Sequence, residues 1–331
     1  VNQSTGYIKL NSFSATTYDE FVEAMNELQP AGMKNLILDL RDNGGGYLDY
    51  AVDIADDFLP EGSTIVYTKG LHRKDKYYHS RNGGRFEEGE VVILIDEFSA
   101  SASEILAGAV QDNDRGLVIG RRSFGKGLVQ EQHELRDGSA FRLTVARYYT
   151  PSGRCIQRPY EEGYEEYYLD FYKSLLLNDS AAREYNLKKN DTLVYRTSKG
   201  RPVYGGGGII PDTLVLHDYT MSQNFQTGFF SSGKLFELVF QYVDGNRKIL
   251  KAKYPDIASF SSGFRVPEVV TIAVFAAGGI NSATVAAQDK ATGEAFIKAN
   301  IARELFGIEA YYQIIIHHDN MVKEALKYFG N

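Results

Sequence analysis

A single cysteine, Cys155, stands in a chain of 331 residues. That scarcity excludes an internal disulfide framework and any cysteine-built metal cage, and it leaves the redox compartment open. Positive charge is not in excess either. Thirty-six Lys and Arg face 43 Asp and Glu, a formal net charge of −7, so the basic footprint of a nucleic-acid binder is missing. No hydrophobic run is long enough for a bilayer. The most apolar stretch, Val269 to Ile280, is too short and follows Pro267 and Glu268. Histidine is sparse: His72, His79, His133, His217, His317 and His318 fall in no recognisable partner motif, which argues against a histidine-based triad. His317 and His318 read as a surface pair, because helical neighbours in sequence point apart and no further ligand falls at supporting spacing; no metal is expected. Val1-Asn2-Gln3 leads directly into a strand-like segment with no export signal ahead of it, the pattern of a cut or a processed chain.

What is present describes a globular protein with a real core. Hydrophobic residues make up 43% and charged residues 24%, and the length suits one large or two ordinary domains. Strand and helix patterns alternate at first. Tyr7 to Phe13 reads as a strand. Thr17 and Glu20 form a candidate capping box ahead of Phe21, Met25 and Leu28 on one helix face. Asn35 to Leu40, Glu90 to Asp96 and Gly116 to Gly120 are fully apolar strands, separated by helical patterns at Tyr47 to Phe58 (stopped by Pro60) and Ser101 to Gln111. This predicts an α/β fold with a largely parallel, covered sheet. From Leu128 to Tyr149 the period becomes two, broken by Asp137-Gly138, which reads as a hairpin. The Tyr- and Glu-rich stretch from Tyr160 to Tyr172 predicts a solvated helix, part of a helical excursion over 160–200. The glycine run Tyr204 to Asp212 allows close backbone approach. The expected organisation is a core over 1–217 and a mostly helical region over 218–331. In that helical region the stripe Ile297, Ile301 and Leu305 suits a core better than a dimer interface; pairing of chains through it is a looser expectation.

Chemistry concentrates in Phe98 to Glu104 (FSASASE) and Phe124 to Gln130 (FGKGLVQ). The first sets a serine in a small-residue turn at the head of a helix. The second sets a lysine and a glutamine on an extended segment. Serine is a weak nucleophile and needs a base; a lysine whose pKa is lowered by burial can supply one. One helix and one strand lie between Ser101 and Lys126, so a β-α-β turn can bring them together. At the start of a helix, unpaired N–H groups and the positive dipole end favour an oxyanion, which nominates the N–H of Ala102. Each residue also has a plainer reading: Ser99, Ser101 and Ser103 as helix caps, Lys126 as an exposed lysine, Gln130 as a solvent-facing strand residue.

Taken together, Asp39-x-Arg41-x-Asn43-x-Gly45-Gly46, Ser99 to Ile105, Gly125-Lys126-Gly127-x-x-Gln130 and Tyr149 to Arg154 resemble the C-terminal processing, or tail-specific, peptidases. Tyr204 to Asp212 resembles the family's later glycine motif, so the resemblance covers about Gly6 to Asp212. Gly44 stands where a proline is often found. The resemblance implies a crotonase-like core, with Ser101 as nucleophile, Lys126 as base and Gln130 as the lysine's partner. It also implies a second oxyanion donor from the glycine loop, with Gly46 favoured and Gly45 serving the tight turn beside it. Arg41 and Asn43 would brace that loop, and Thr150 to Arg154 would form a turn near the site. Protein or peptide substrates cut at or near their C-termini, no cofactor, no metal, and a periplasmic or cell-envelope location follow from the same resemblance. Members usually carry a PDZ domain; none is expected here, because Gly62 to Gly89 is too short to hold one.

Two other readings share Lys126. Gly120-x-x-x-x-Gly125-Lys126-Gly127 nearly spells a phosphate-binding loop, but Gly127 stands where Ser or Thr is needed and the following residues read as extended. Ser123-x-x-Lys126 has the spacing of penicillin-recognising enzymes, but flanking glycines disfavour the shared helical turn. A third reading, from another class, is a catalytically silent peptide-binding scaffold on the same fold. The presence of Ser101, Lys126 and Gln130 together speaks against it.

Overall fold

The computed structural model describes residues 1–331 apart from 3, 82, 161–162, 164, 166–167, 170, 173–178, 188–192, 217–220 and 331. The chain divides into two compact units: Asn2–Leu216 with Glu324–Asn331, and His217–Lys323 with Val1.

The first unit runs β1 (Thr5–Lys9), α1 (Thr17–Leu28), β2 (Asn35–Asp39), α2 (Leu48–Asp56), β3 (Thr64–Gly70), β4 (Arg73–His79), β5 (Glu90–Ile95) and α3 (Ala102–Asp112). It continues through β6 (Leu117–Gly120), β7 (Leu128–Glu134), β8 (Ala140–Tyr149), α4 (Asp179–Leu187), β9 (Val194–Arg196), β10 (Pro202–Tyr204) and β11 (Thr213–Leu214). A parallel sheet in the order β1-β2-β5-β6-β11 forms the core. Ile8, Leu38, Ile93 and Val118 stand in one row across it, and all are buried. Strands covered on both faces by apolar neighbours need no alternating pattern, which is why their sequences read as unbroken apolar runs. The mixed α/β architecture with a parallel sheet is therefore as expected.

A second sheet, β4-β3-β8-β7, is antiparallel. Its β7–β8 hairpin turns at Asp137, whose carboxylate accepts from the Ser139 N–H and hydroxyl, with Gly138 at φ 83°. The β3–β4 hairpin was not anticipated; it fills the stretch between Gly62 and Gly89.

Two local expectations need correcting. The first strand ends at Lys9, not Phe13; Phe13 instead makes an isolated parallel bridge to Gly46. The Thr17–Glu20 capping box does not form. Thr17 is already helical, and its hydroxyl donates to Ser12 O (3.0 Å) and accepts from the Ser14 N–H (2.9 Å). The helix expected at Tyr160 to Tyr172 lies partly outside the described residues, with Glu165, Tyr168, Leu169, Phe171 and Tyr172 helical among those described.

The second unit consists of helices: α5 (Gln223–Ser231), α6 (Lys234–Lys253), α7 (Ile257–Gly263), α8 (Glu268–Ala277), α9 (Ala287–Phe306) and α10 (Ile308–Ile315), then a 3-10 turn at Ile316–His318. The last helix, α11, spans Asn320–Tyr328. Phe225 and Phe229 stack on each other and each meets Phe275 edge to face in this unit's core, with Ile297, Ile301 and Leu305 buried in the same cluster. That stripe is thus internal and offers no face for pairing chains. Among the described residues no single helix is long and apolar enough to cross a membrane.

Candidate active site

β2 runs into the glycine loop, where buried polar groups are tied down. Asp39 is fully buried, and its carboxylate accepts from the Tyr7 hydroxyl (2.6 Å), the Arg41 N–H (2.9 Å) and the Arg41 guanidinium (2.9 and 2.6 Å). Burial alone would raise this carboxyl; the Arg41 charge and the hydrogen bonds outweigh it and hold Asp39 below the ordinary aspartate range. Asn43 is also fully buried. Its Nδ2 donates to Leu10 O (2.8 Å) and its Oδ1 accepts from the Gly45 N–H (2.9 Å). Its carbonyl accepts from the Ala100 N–H (3.0 Å) and the Ser103 hydroxyl (2.9 Å). Asn43 therefore clamps the glycine loop onto the turn that carries Ser101.

That turn leaves the end of β5. The Asp96 carboxylate accepts from the N–H groups of Asp42, Phe98 and Ser99, each at 3.1 Å. Three serines follow at alternate positions, and their surroundings separate them. Ser99 and Ser103 are fully buried and donate to the carbonyls of Leu40 (2.8 Å) and Asn43 (2.9 Å). Ser101 lines a cavity instead. It sits at the N-cap of α3 with φ 59° and ψ −112°. A side-chain-bearing residue in such a conformation costs of order 1–3 kcal/mol and persists where the surroundings over-determine it.

Glu104, fully buried in the first turn of α3, does much of that determining. Its Oε2 accepts from the N–H groups of Ser101 (2.9 Å) and Lys126 (2.8 Å). Its Oε1 accepts from the Gly125 N–H (2.7 Å) and the Ser123 hydroxyl (2.5 Å). Burial pushes this carboxyl above its ordinary value despite the four donors. One carboxylate thus fixes the backbone of both the candidate nucleophile and the candidate base. Sequence reasoning quoted Glu104 but gave it no role. The signal that would have found it is Ser101-x-x-Glu104, the capping-box spacing at a helix start.

Ser123 is a strut. Buried, it donates to Glu104 and accepts from the Ile209 N–H (2.6 Å). Residues 122–127 form neither helix nor strand and lead into β7. The phosphate-loop spacing therefore lacks its helix, and Ser123 and Lys126 share no helical turn. The later glycine run makes the close approach its composition suggests. A β-carbon on Gly208 (φ +81°) would lie 2.5 Å from Ser123 O. Arg154, at the end of the Thr150 to Arg154 turn, is fully buried and pairs with Asp112 (2.7 Å) at the far end of α3.

A cavity of about 610 Å³ opens over these loops. Ser101, Lys126 and Gln130 all line it, together with Gly44 to Tyr47 on one side and residues of β7 and β8. Tyr148, on β8, has its hydroxyl pushed up to about 12 by burial. The candidate oxyanion donors differ in availability. The Gly45 N–H is taken by Asn43. The N–H groups of Gly46 and Ala102 have no hydrogen-bond partner among the described residues.

Gly45 has a different task. At φ +94°, a β-carbon would come within 2.6 Å of Ala100 O and 2.8 Å of Ser101 Cβ. Gly45→Ala is expected to displace the nucleophile turn and lower peptide hydrolysis by about 10²-fold. Wild-type rates from a folded Gly45→Ala protein would refute this close approach. Among the described residues no group of three or more His, Cys, Asp or Glu side chains is arranged to hold a metal ion.

Sequence comparison matches residues 4–163 to Peptidase family S41 and residues 227–307 to a family of unknown function (DUF8443). A carboxyl-terminal-processing protease of Synechocystis sp. is 46% identical over 156 residues, covering 47% of this chain and 36% of the relative. Carboxyl-terminal-processing peptidase 3, chloroplastic, of Arabidopsis thaliana is 43% identical over 148 residues, covering 45% and 28%. The chain thus spans about a third of the length of these curated relatives. Among solved structures, a photosystem II D1 C-terminal processing protease is 38% identical over 46% of this chain and 39% of that one, with a TM-score of 0.43.

Proposed function

We propose that this chain, whose residues 4–163 match Peptidase family S41, is a serine endopeptidase of the C-terminal processing kind, cutting protein substrates at or near their C-termini with a Ser101–Lys126 dyad. The observation that carries the reading is the Glu104 carboxylate, which accepts from the backbone of both residues at the edge of one cavity. The Ser101 hydroxyl attacks the substrate carbonyl while the Lys126 amine takes its proton. The N–H groups of Gly46 and Ala102 receive the oxyanion; losing one such donor typically costs about 10²–10³ in rate. Lys126 then gives the proton to the leaving amine, and an acyl ester on Ser101 remains. Water, deprotonated by Lys126, releases the product. Gln130 lines the same cavity without a hydrogen bond to Lys126 and is assigned to orient the lysine amine once substrate is bound. No step calls for a metal or cofactor. The crotonase-like label for the core, the helical C-terminal region as an accessory to it, and a cell-envelope or periplasmic location belong to this same reading.

A fluorophosphonate probe followed by peptide mapping tests it. The expected result is one adduct on Ser101 and none on Ser99, Ser103 or Ser123, with digestion of casein by the unlabelled protein. A folded protein that takes no label and cuts nothing would instead favour a silent peptide-binding scaffold.

A further inference from the structure

Charge in the cavity is one-sided. Lys126 and Arg142 are the cationic residues that line it, and no Asp or Glu does, in a chain whose formal net charge is −7. Arg142 lies on β8 directly opposite Gln132 of β7. Its Nε donates to Gln132 Oε1 (3.2 Å), which steadies the guanidinium and leaves its two terminal amino groups without a partner among the described residues. The adjacent carboxylate, Glu131, is bound by Arg73 (2.5 Å) and does not neutralise Arg142. An exposed guanidinium at a cavity wall, with no Asp or Glu among the described lining residues, can receive a carboxylate.

We propose that Arg142 binds the α-carboxylate at the free C-terminus of the peptide being cut, a role that rests on the peptidase reading above. Gln130 and Gln132 lie between Lys126 and Arg142 along the cavity-lining side of β7. Gln132 lies six residues beyond Lys126, at most roughly 20 Å at about 3.3 Å per residue, and an extended substrate beside β7 advances at that rate. Allowing for the reach of both side chains, the carboxylate falls roughly four to six residues beyond the scissile bond. Arg142 is therefore a specificity-determining residue that gauges the length of the tail to be removed. The chemistry stays with Ser101 and Lys126. An Asp or Glu side chain offers the same chemical group, and the glutamate carboxamide below tells the two sources apart.

The test measures binding to the full chain carrying Ser101→Ala, which cannot turn substrate over. Fluorescent peptides of one sequence end in a free acid, in a carboxamide, or in a glutamate followed by a carboxamide. The acid peptide is expected to bind about tenfold more tightly than the carboxamide, a difference of about 1.4 kcal/mol. Arg142→Gln is expected to erase that preference, and Arg142→Lys to keep part of it. The glutamate carboxamide is expected to bind as weakly as the plain one. Equal affinity for acid and carboxamide overturns the proposal. So does a preference that survives Arg142→Gln, or a glutamate carboxamide that binds as well as the acid. In the protein with Ser101 intact, Arg142→Gln is expected to act on KM more than on kcat and to flatten the dependence on tail length. An acid preference with no turnover of any peptide would sink the peptidase reading while leaving the carboxylate site in place.

Discussion

Lys126→Ala is expected to lower casein hydrolysis by about 10⁴-fold or more while leaving the unfolding temperature near that of wild type. The two halves of this result come from different atoms of one residue. The structural tie of Lys126 is its backbone N–H on Glu104, which alanine keeps. Its side chain lines the cavity, is half-buried, and has no hydrogen bond or ion pair among the described residues. Removing it takes away the proposed base without loosening the loop. Ser101→Ala is expected to match it, since its N–H on Glu104 also survives. The double variant should be no worse than either single one, because the two residues act as a unit. Ser123→Ala provides the contrast: it removes a strut hydrogen-bonded to Glu104 and Ile209, so it should cost stability first and still cut. Complete inactivity of a fully stable Ser123→Ala protein would reopen the Ser123-x-x-Lys126 alternative.

Glu104→Gln is expected to damage stability and rate together. The amide retains one oxygen for two donors and turns an NH₂ group toward the other two. Buried donors left facing a donor cost about 1–3 kcal/mol each, so a loss of roughly 3 kcal/mol or more follows. In a domain of this size that corresponds to a fall of roughly 6–12 °C in unfolding temperature. The rate should fall by about 10²-fold through kcat more than KM, because misplacing Ser101 against Lys126 affects the reaction more than the binding of the peptide. A pH series separates this from a simple packing defect. Burial raises the Glu104 carboxyl, so the folded state takes up a proton more readily than the unfolded chain. The contribution of this site is therefore largest below the ordinary glutamate value and is lost as pH rises through the folded value. Glutamine has no such proton. The stability gap between wild type and Glu104→Gln should narrow as pH rises above the ordinary glutamate value, and a constant gap would contradict the raised value.

The parts of the site legible in the sequence were those whose chemistry tolerates few residue types. A serine at a helix start, a lysine between glycines and a glycine loop leave an obvious trace, and the parallel strands that present them are unbroken apolar runs. Other parts depend on partners far away in sequence. Nothing in the sequence of β4, RKDKYYH, alternates in burial, since six of its seven residues are exposed, so the β3–β4 hairpin has no period to detect. The hydroxyl of Thr17 looked like a cap, yet the turn before α1 claimed it first. Asn43 and Glu104 carry ordinary labels; their weight lies in how many backbone groups converge on them, which only the assembled loops reveal. Arg142 likewise looks like one more charged residue on a polar strand until β8 pairs with β7.

The order in which the ribosome releases these pieces has its own consequence. Gly46 emerges first, Ser101 later, then Lys126, and β8 after that. Glu104 has no Lys126 N–H to hold until the loop beyond α3 has been made, and the cavity wall waits for β8 to pair with β3, Tyr67 opposite Tyr149. A half-synthesised chain therefore carries its serine without the partner that would arm it.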